Sequence, residues 1–254
     1  VDSIVREVKK AINNDFSEIT LLGQNVNSYN YNDKKFPELL DAVAKVGGVK
    51  RIRYTSPHPQ DINVELLKIM AKHDNICNYI HLPLQAGSNR ILKRMNRTYT
   101  KEGFIKLVEK IRTYLPGVGI STDIIVGFPG ETKEEFNETL EVMRKVKFDS
   151  AFTFKYSPRK GTKAIEYGDQ LGEDEKQRRL NKVIELQKLN TTLRNQSYVN
   201  KVVDVLIEKK SKRNESKWAG RTNSNKWVIF NRLDFNTNDI VPVLITKSKG
   251  ITLY

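Results

Sequence analysis

The chain has 254 residues, of which 38% are hydrophobic and 29% are charged, a composition that is typical of globular domains and argues against a disordered or membrane-embedded chain. No apolar run approaches the roughly 20 residues of a membrane span. The amphipathic start predicts that there is no signal peptide, so we expect a cytoplasmic location. The net charge is +14, and residues 191–254 carry half of it, with 12 Lys and Arg against 5 Asp and Glu. This asymmetry favours a nucleic-acid partner, with solubility as the alternative reason for the charge.

The first part of the chain alternates predicted helices and strands. The patterns predict helices at 2–13, 37–46, 61–71, 88–95, 100–115 and 132–146, and strands at 18–22, 51–55, 79–84, 120–126 and 150–156. The strands recur at intervals of roughly 30 residues and are almost continuously apolar, which indicates parallel strands joined by crossover helices. Because a helix comes first, we expect another strand to precede it. The predicted fold class is α/β, a βα barrel or part of one.

The clearest strand–turn–helix pattern runs from Gly119 to Phe136. A Gly-Phe-Pro-Gly turn at 127–130 ends the strand, and Thr132 and Glu135 have the spacing of a capping box at the start of the helix. Asp123 lies inside the apolar strand, where a carboxylate is costly to bury without a partner. It either bonds a neighbouring backbone group or Arg, or faces a ligand near the carboxyl end of the strand, where α/β folds place their sites.

A long charged helix is predicted from Glu173 to Gln196, and we expect it to connect two domains. Its expected buried side consists of Leu180, Val183, Ile184 and Leu193. Beyond it the hydrophobic period changes to two, with short strands predicted at 202–207, 227–230, 240–245 and 251–254. This pattern is typical of a small antiparallel barrel of OB-like size. The predicted boundaries are 1–172 for the α/β domain, 173–190 for the linking helix and 191–254 for the small barrel.

Polar groups and glycines follow the ends of the predicted strands. They are Gly23-Gln24-Asn25, Ser56-Pro57-His58, Gln85-Ala86-Gly87-Ser88, Gly127 to Glu131, and Tyr156-Ser157. In a βα barrel these groups converge on one rim, which is where such folds place their sites. The groups are mostly uncharged, so they suit a neutral or zwitterionic small molecule with a sugar better than a polyphosphate. Neither a Walker loop nor a GxGxxG motif is present.

The histidines and the cysteine do not form a recognisable metal site. His58, His73 and His81 lack the paired spacing of a zinc-binding helix. We expect His73 at the surface near a helix end and His81 as a hydrogen-bonded core residue. Cys77 is the single cysteine, which excludes internal disulfides and any site with several cysteines from this chain. A buried, inert thiol is expected.

Basic and aromatic residues are interleaved in the C-terminal part. The predicted RNA-binding residues are Lys209, Lys210, Lys212, Arg213, Lys217, Trp218, Arg221 and Lys226, with Lys209 to Arg213 as a basic turn. Such interleaving suits a surface that follows an RNA backbone and stacks on its bases. One of the two tryptophans is expected in the barrel core, and Trp218 is preferred over Trp227 as the stacking residue.

Five segments carry a close resemblance to a known family. They are LLGQNVNSY at 21–29, YTSPHP at 54–59, HLPLQAGSNRILKRMNR at 81–97, STDIIVGFPGET at 121–132 and FKYSPRKGT at 154–162. These segments resemble the radical S-adenosylmethionine (SAM) methylthiotransferases, and residues 191–254, with GRT at 220–222, are similar to a TRAM domain, a small RNA-binding barrel. The resemblance implies a partial (βα)6 TIM-like radical SAM barrel that lacks its first strand, followed by an OB-like TRAM barrel.

The resemblance also implies an activity. Members of the family add a methylthio group by using SAM and two [4Fe–4S] clusters. The resemblance implies that the target of this protein is carbon 2 of an N6-isopentenyladenosine beside the anticodon of a tRNA. A CxxxCxxC loop and an N-terminal domain with three cysteines hold those clusters, and this sequence contains neither. We therefore expect a C-terminal fragment with no cluster and no activity by itself. A threonylcarbamoyladenosine methylthiotransferase and a non-catalytic RNA-binding protein are the alternatives.

The resemblance assigns the SAM-binding roles residue by residue. Gly23, Gln24 and Asn25 match the motif that meets the methionyl amino group, and Ser56 and Gln85 match contacts to the methionine or ribose. Asp123 and the turn from Gly127 to Glu131 flank the adenosine, and Tyr156 and Ser157 bound its adenine side. No residue of this chain is assigned a catalytic or metal-binding role.

Overall fold

The computed structural model of the protein describes residues 1–55 and 58–254. Within them the helices are α1 Asp2–Asn13, α2 Phe36–Ala44, α3 Val64–Lys72, α4 Asn89–Arg94, α5 Lys101–Tyr114, α6 Lys133–Val146 and α7 Glu173–Gln196. The strands are β1 Glu18–Leu21, β2 Asn30–Tyr31, β3 Lys34–Lys35, β4 Arg51–Tyr54, β5 Tyr79–His81, β6 Gly119–Val126, β7 Ser150–Lys155, β8 Val202–Ser211, β9 Asn214–Thr222, β10 Trp227–Asn231, β11 Ile240–Leu244, β12 Ser248–Lys249 and β13 Thr252–Leu253. Each predicted helix and strand is confirmed, with bounds that differ by a few residues.

These elements form two compact units, each built from several chain segments. The first unit comprises Val1–His81, Ile111–Gly119 and Asn195–Tyr254, and the second comprises Leu82–Lys110 and Ile120–Arg194. The C-terminal strands therefore belong to the same unit as the first strands of the chain, although almost 150 residues separate them in sequence.

Two parallel strands organise the first unit. β1 pairs with β4 with Glu18 opposite Arg51, and the next residue, Ile52, extends the ladder. Ile52 donates its N–H to the carbonyl oxygen of Asn75 at 2.7 Å and accepts from the N–H of Cys77 at 2.8 Å. All four residues of β4 are buried, as expected for a strand of a parallel sheet that is covered on both faces. The prediction of parallel strands is confirmed here.

The second unit contains a second parallel pair. β6 pairs with β7 with Asp123 opposite Phe152. The segment that follows β5 continues beside β6, because the N–H of Leu82 donates to the carbonyl oxygen of Ser121 at 2.7 Å. The carboxyl ends of β6 and β7 therefore point the same way, and the loops that follow them lie at one edge of the pair.

The C-terminal strands form one six-stranded sheet in the order β11-β8-β9-β10-β13-β12. Its core is a cluster of buried apolar side chains, namely Val205, Ile207, Trp218, Val228, Val241, Val243, Ile245 and Leu253. The four predicted strands are confirmed as β8, β10, β11 and β13, and β11 shows the alternation of buried and exposed residues.

One long strand of this sheet, β9, was not predicted. The first residues of β9 are exposed and polar, so no alternation marks them as a strand. Gly220 also interrupts the pattern. Glycine is needed there because a Cβ would lie 2.1 Å from the carbonyl oxygen of Leu206. β8 extends to Ser211, so Lys209 and Lys210 lie in a strand. The prediction that they form part of a turn is wrong.

Within the first unit, the C-terminal sheet packs against the amino ends of β1 and β4. Arg51 donates from Nη2 to the carbonyl oxygen of Asp204 at 3.0 Å, and Arg53 donates from Nη2 to that of Thr222 at 3.3 Å. Both arginines are buried. Glu18, the first residue of β1, accepts from Arg53 Nε at 2.9 Å and from Arg221 Nη2 at 3.0 Å. This packing places the sheet at the end of β1 away from the loop that starts at Gly23.

The buried side of α7 is largely polar, which differs from the prediction. Gln187 Nε2 donates to the carbonyl oxygen of Phe148 at 2.9 Å, and Asn190 Nδ2 donates to that of Met143 at 3.0 Å. Of the four predicted apolar residues Val183 is buried, whereas Leu193 is 58% exposed. The side chains of α7 donate hydrogen bonds to backbone carbonyls at the ends of neighbouring elements. Hydrophobic periodicity gives no sign that those carbonyls need donors.

The predicted helix caps are mostly confirmed. Thr132 Oγ1 accepts from the N–H of Glu135 and the Glu135 carboxylate accepts from the N–H of Thr132, which completes the capping box of α6. Ser88 caps α4. The prediction that Asp61 caps α3 is wrong. Asn63 caps it, through a bond from the N–H of Leu66 to Oδ1 at 2.8 Å.

The acid stability of the second unit should depend on Glu135. The Arg90 guanidinium, at 2.7 Å, lowers the pKa of Glu135 from 4.5 to about 2. A lowered carboxyl pKa stabilises the fold above pH 4.5, and this contribution disappears as the pH falls towards 2. Solvent around the half-exposed Arg90 weakens this pair. We therefore expect Glu135→Gln to lower the free energy of unfolding by about 2 kcal/mol at neutral pH and by almost nothing near pH 2.

Urea unfolding at several pH values measures this difference. Glu141→Gln, on the exposed face of the same helix, is the matched control and should leave the pH dependence unchanged. A Glu135→Gln variant whose stability falls by the same amount at every pH would contradict the electrostatic explanation.

Candidate cofactor cleft and nucleic-acid surface

A cleft of about 950 Å³ lies in the second unit, and four of the predicted cofactor residues line it. They are Gln85, Asp123, Tyr156 and Ser157. Asp123 lies in β6 and Gln85 in the segment beside it, and Tyr156 and Ser157 follow β7 directly. The parallel pairing of β6 with β7 therefore brings these residues together, because it places the loops at the carboxyl ends of both strands at one edge.

Gln85 is held in a left-handed backbone conformation at the wall of this cleft. Its φ is +66°, a region that costs a residue with a Cβ roughly 1–2 kcal/mol. Two backbone bonds hold it there: its N–H donates to the Asp123 carbonyl oxygen at 2.8 Å, and its own carbonyl accepts from Ile125 at 2.9 Å. Such strain, maintained by the surrounding structure, is typical of residues that orient a functional side chain.

Aromatic rings form one side of the cleft. Phe128 contacts the edge of Tyr156 at 5.1 Å and that of Tyr167 at 6.3 Å between ring centroids. Tyr156 Oη is buried and has no hydrogen-bond partner among the described residues. A buried hydroxyl without a partner costs about 1–3 kcal/mol, so Tyr156 Oη is an unsatisfied polar atom beside the cleft.

The turn from Gly127 to Glu131 is held from inside the protein. The Glu131 carboxylate accepts from the N–H of Gly127 at 2.8 Å and from Arg179 Nη1 at 2.6 Å. Burial raises the pKa of Glu131 despite these two bonds. A Cβ on Gly127 would lie 2.5 Å from Cγ of Lys176. The structure therefore uses these residues to fix the turn on α7.

Three further predicted cofactor residues lie in the first unit. Gly23, Gln24 and Asn25 are exposed after β1, and Asn25 is left-handed with φ +50°. Ser56 lies outside the described residues. Sequence reasoning gave no role to Asn27, which is buried. Its amide donates to the His58 carbonyl at 2.9 Å and accepts from the His58 N–H at 2.7 Å, so it ties the loop after β1 to that after β4.

Basic side chains around the cleft were also missed. Six line it: Lys93, Arg94, Arg97, Lys155, Arg159 and Lys163. Their sequence signal was available, because they lie at the carboxyl ends of α4 and β7 or in the loops that follow, beside the predicted polar residues. These side chains were not predicted to form a basic surface, because the excess of positive charge in residues 191–254 pointed to the C-terminal part instead. The cleft is therefore more basic than the neutral rim that the sequence predicted.

The hairpin of β8 and β9 exposes four of the predicted RNA-binding residues. Lys209, Lys210, Lys212 and Arg213 are exposed there, and Lys217 is half-buried. The turn lies between Ser211 and Asn214, which are paired across the hairpin. These cations therefore line the end of a two-stranded projection, an arrangement that suits contact with a phosphate backbone.

Two other predicted RNA-binding residues are buried, contrary to the prediction, and a third is half-buried and ion-paired. Trp218 is 4% exposed and belongs to the core of the sheet, so Trp218 is not the stacking residue. Lys226 is buried, with Nζ 5.9 Å from the ring centroid of Tyr198. Arg221 forms ion pairs with Glu18 and Glu208. Residue type alone suggested RNA contacts, but the sheet uses these side chains to pack.

Trp227 is half-buried and lies close to two cations. Lys209 Nζ lies 5.0 Å from its ring centroid and Arg221 Cζ lies 5.7 Å away. Cation–π contacts of this kind stabilise the hairpin in its own right. The Trp227 ring therefore already contacts two cations of its own domain. The tryptophan of the core is Trp218 rather than Trp227.

The histidines and the cysteine have structural surroundings. His73 follows the end of α3, as predicted, but it is half-buried and bonds Asp41 at 2.7 Å. Lys45, together with His73 and Lys72, holds the pKa of Asp41 well below its usual range. Cys77 is buried, as predicted, and burial raises the pKa of its thiol. No cluster of His, Cys, Asp and Glu suited to a metal occurs in residues 1–55 and 58–254.

Comparisons with known proteins identify two regions. Residues 1–143 match the radical SAM superfamily and residues 196–254 match the TRAM domain. The chain is 46% identical to the tRNA-2-methylthio-N(6)-dimethylallyladenosine synthase of Carboxydothermus hydrogenoformans, covering 98% of this chain and 57% of that protein. It is 45% identical to the synthase of the same name from Clostridium tetani, covering 100% of this chain and 56% of that protein. The chain thus spans just over half the length of these relatives.

A solved structure supports the fold. Coproporphyrinogen III oxidase from Escherichia coli, a radical SAM enzyme, matches with a TM-score of 0.56 at 12% identity, covering 87% of this chain and 59% of that one. At such low identity the likeness concerns the fold alone. The predicted α/β radical SAM fold class, followed by a small all-β TRAM domain, is confirmed. Among the described residues no helix is long and apolar enough to cross a membrane.

Proposed function

We propose that this chain, which belongs to the radical SAM superfamily and carries a TRAM domain, is part of a tRNA methylthiotransferase that acts at carbon 2 of an N6-isopentenyladenosine beside the anticodon. The observation that carries the proposal is the 46% identity to a synthase of that name, which extends over 98% of the chain and so includes both regions. The predicted family segments lie within the aligned part. A cytoplasmic location follows from tRNA as the substrate.

The cleft in the second unit is our candidate for the SAM site. Asp123 supplies a carboxylate for the positive charges of SAM, and the rings of Phe128 and Tyr156 provide apolar walls for an adenosine. Tyr156 Oη, which lacks a partner among the described residues, provides a polar contact. When bound, SAM supplies methyl transfer and radical chemistry, and these side chains bind and orient it. Gln24 and Asn25 remain proposed contacts by resemblance.

The chain does not supply the ligands of an iron–sulfur cluster. Such clusters are held by cysteine thiolates, and Cys77 is the single cysteine of this sequence and is buried. We infer that residues outside this chain hold the two clusters of the family. By itself the chain should therefore bind SAM without cleaving it.

Nucleoside analysis tests the proposed function. Deletion of the encoding gene should remove the 2-methylthio group from tRNA and leave the N6-isopentenyl group in place. Complementation with the wild-type gene should restore the group, and complementation with Gln85→Ala should restore less of it. Loss of the methylthio group from threonylcarbamoyladenosine would instead support the sister activity. Unchanged nucleosides would support a non-catalytic RNA-binding protein.

A further inference from the structure

Four of the cations that line the cleft of the second unit are not paired with an acid among the described residues, although the Asp123 carboxylate lies in the same cleft. Lys93 and Arg97 flank the end of α4, and Arg159 and Lys163 lie in the loop after β7. All four are exposed, and none forms an ion pair in the described part of the chain. We call these four residues the basic rim.

The other two cations of the cleft show the contrast. Arg94 Nη2 bonds Asp169 at 2.8 Å, and its guanidinium lies 4.3 Å from the centroid of Tyr167. Lys155 pairs with Glu173 at 3.1 Å. These two side chains therefore have internal partners. The basic rim instead concentrates charge of one sign at the mouth of a concave site, which raises the local concentration of anions.

SAM does not explain the basic rim. The cofactor carries a sulfonium and an ammonium against one carboxylate, so its net charge is positive, and four further cations oppose its binding. The basic rim therefore fits a second ligand that is anionic. Phe154 also lines the cleft, and its side chain is 51% exposed. Cations combined with an exposed aromatic ring are the arrangement that binds single-stranded nucleic acid.

We propose that the basic rim binds backbone phosphates of the RNA substrate around the nucleotide that enters the cleft, with Phe154 available for stacking on a base. This inference rests on the proposed function, because it takes RNA as the substrate. It adds a second electrostatic contact region, distinct from the hairpin of β8 and β9. The basic rim acts in positioning, since its side chains meet phosphates rather than the reacting carbon.

Salt-dependent binding of tRNA to the whole chain tests the proposal. The rim variant carries Lys93→Gln, Arg97→Gln, Arg159→Gln and Lys163→Gln. The matched control removes the same charge from exposed helix positions of the same unit, with Lys106→Gln, Lys110→Gln, Lys133→Gln and Lys182→Gln. Each phosphate contact with a single strand contributes roughly 0.7 to the slope of log K against log salt, so the rim variant should lose about 2–3 from that slope. Its affinity should fall at least tenfold at about 0.1 M salt, and the control should change little.

Several outcomes would overturn the proposal. Equal losses in the rim variant and the control would show a general charge effect, and unchanged tRNA affinity in both would show that RNA does not reach the rim. Loss of pyrophosphate binding with tRNA affinity unchanged would assign the rim to a small phosphate. Thermal unfolding of both variants checks that the fold is intact. Nucleoside analysis is independent of this result, so a failed rim and a failed proposed function are distinguishable.

Discussion

A chain that ends at Arg194 is expected to unfold under conditions in which the whole chain is stable. The first unit buries Arg51 and Arg53, and their guanidinium groups donate to carbonyl oxygens of Asp204 and Thr222 in the C-terminal sheet. A hydrogen bond to a charged group contributes about 1.5–3 kcal/mol, and a domain has only about 5–15 kcal/mol in total. Two such losses, together with the exposed apolar surface, consume most of that stability.

Urea unfolding of the truncated and whole chains measures the effect. The matched control is the full chain with Lys210→Glu and Arg213→Glu, because both side chains are exposed on the hairpin. This control should keep its stability while its affinity for tRNA falls. If the truncated chain unfolds at the same urea concentration as the whole chain, the interface is not needed for stability. Deletion of the TRAM domain is therefore a poor test of RNA binding, and the charge reversals are a better one.

Gly87→Ala should destabilise the second unit by about 3 kcal/mol or more. A Cβ on Gly87 would lie 2.4 Å from Cα of Thr139 and 2.7 Å from the carbonyl oxygen of Glu138. Both are backbone atoms of α6, so the helix itself would have to move. The N–H of Gly87 also donates to Thr139 Oγ1 at 2.8 Å, and that bond would be distorted.

Gly103→Ala is the control for this substitution. Gly103 lies in α5, and a Cβ there would meet only Thr100 Oγ1, at 3.3 Å. Alanine is the better helix former by roughly 1 kcal/mol, so this variant should be as stable as the wild type or more so. Thermal unfolding compares the two. A Gly87→Ala variant as stable as Gly103→Ala would show that the turn after Leu84 adapts more easily than its packing suggests.

Local patterns predicted the elements well because their causes are local. Thr132 and Glu135 form the capping box that their spacing indicates, and the apolar run before Gly127 forms β6. The strand β9 was missed because its polar first half faces solvent and its second half contains Gly220. The buried side of α7 was misjudged because Gln187 and Asn190 bond backbone carbonyls that are far away in sequence.

The sequence by itself determined the family, the α/β order, the polar residues after each strand and the lack of thiolate ligands, since these depend on residue type and spacing. Only the tertiary structure decided which charged and aromatic side chains are free. It buries Trp218, pairs Arg221 with Glu18 and leaves the basic rim without ion-pair partners among the described residues. A side chain's partners come from segments distant in sequence, and spacing along the chain carries no information about which cations those segments will neutralise.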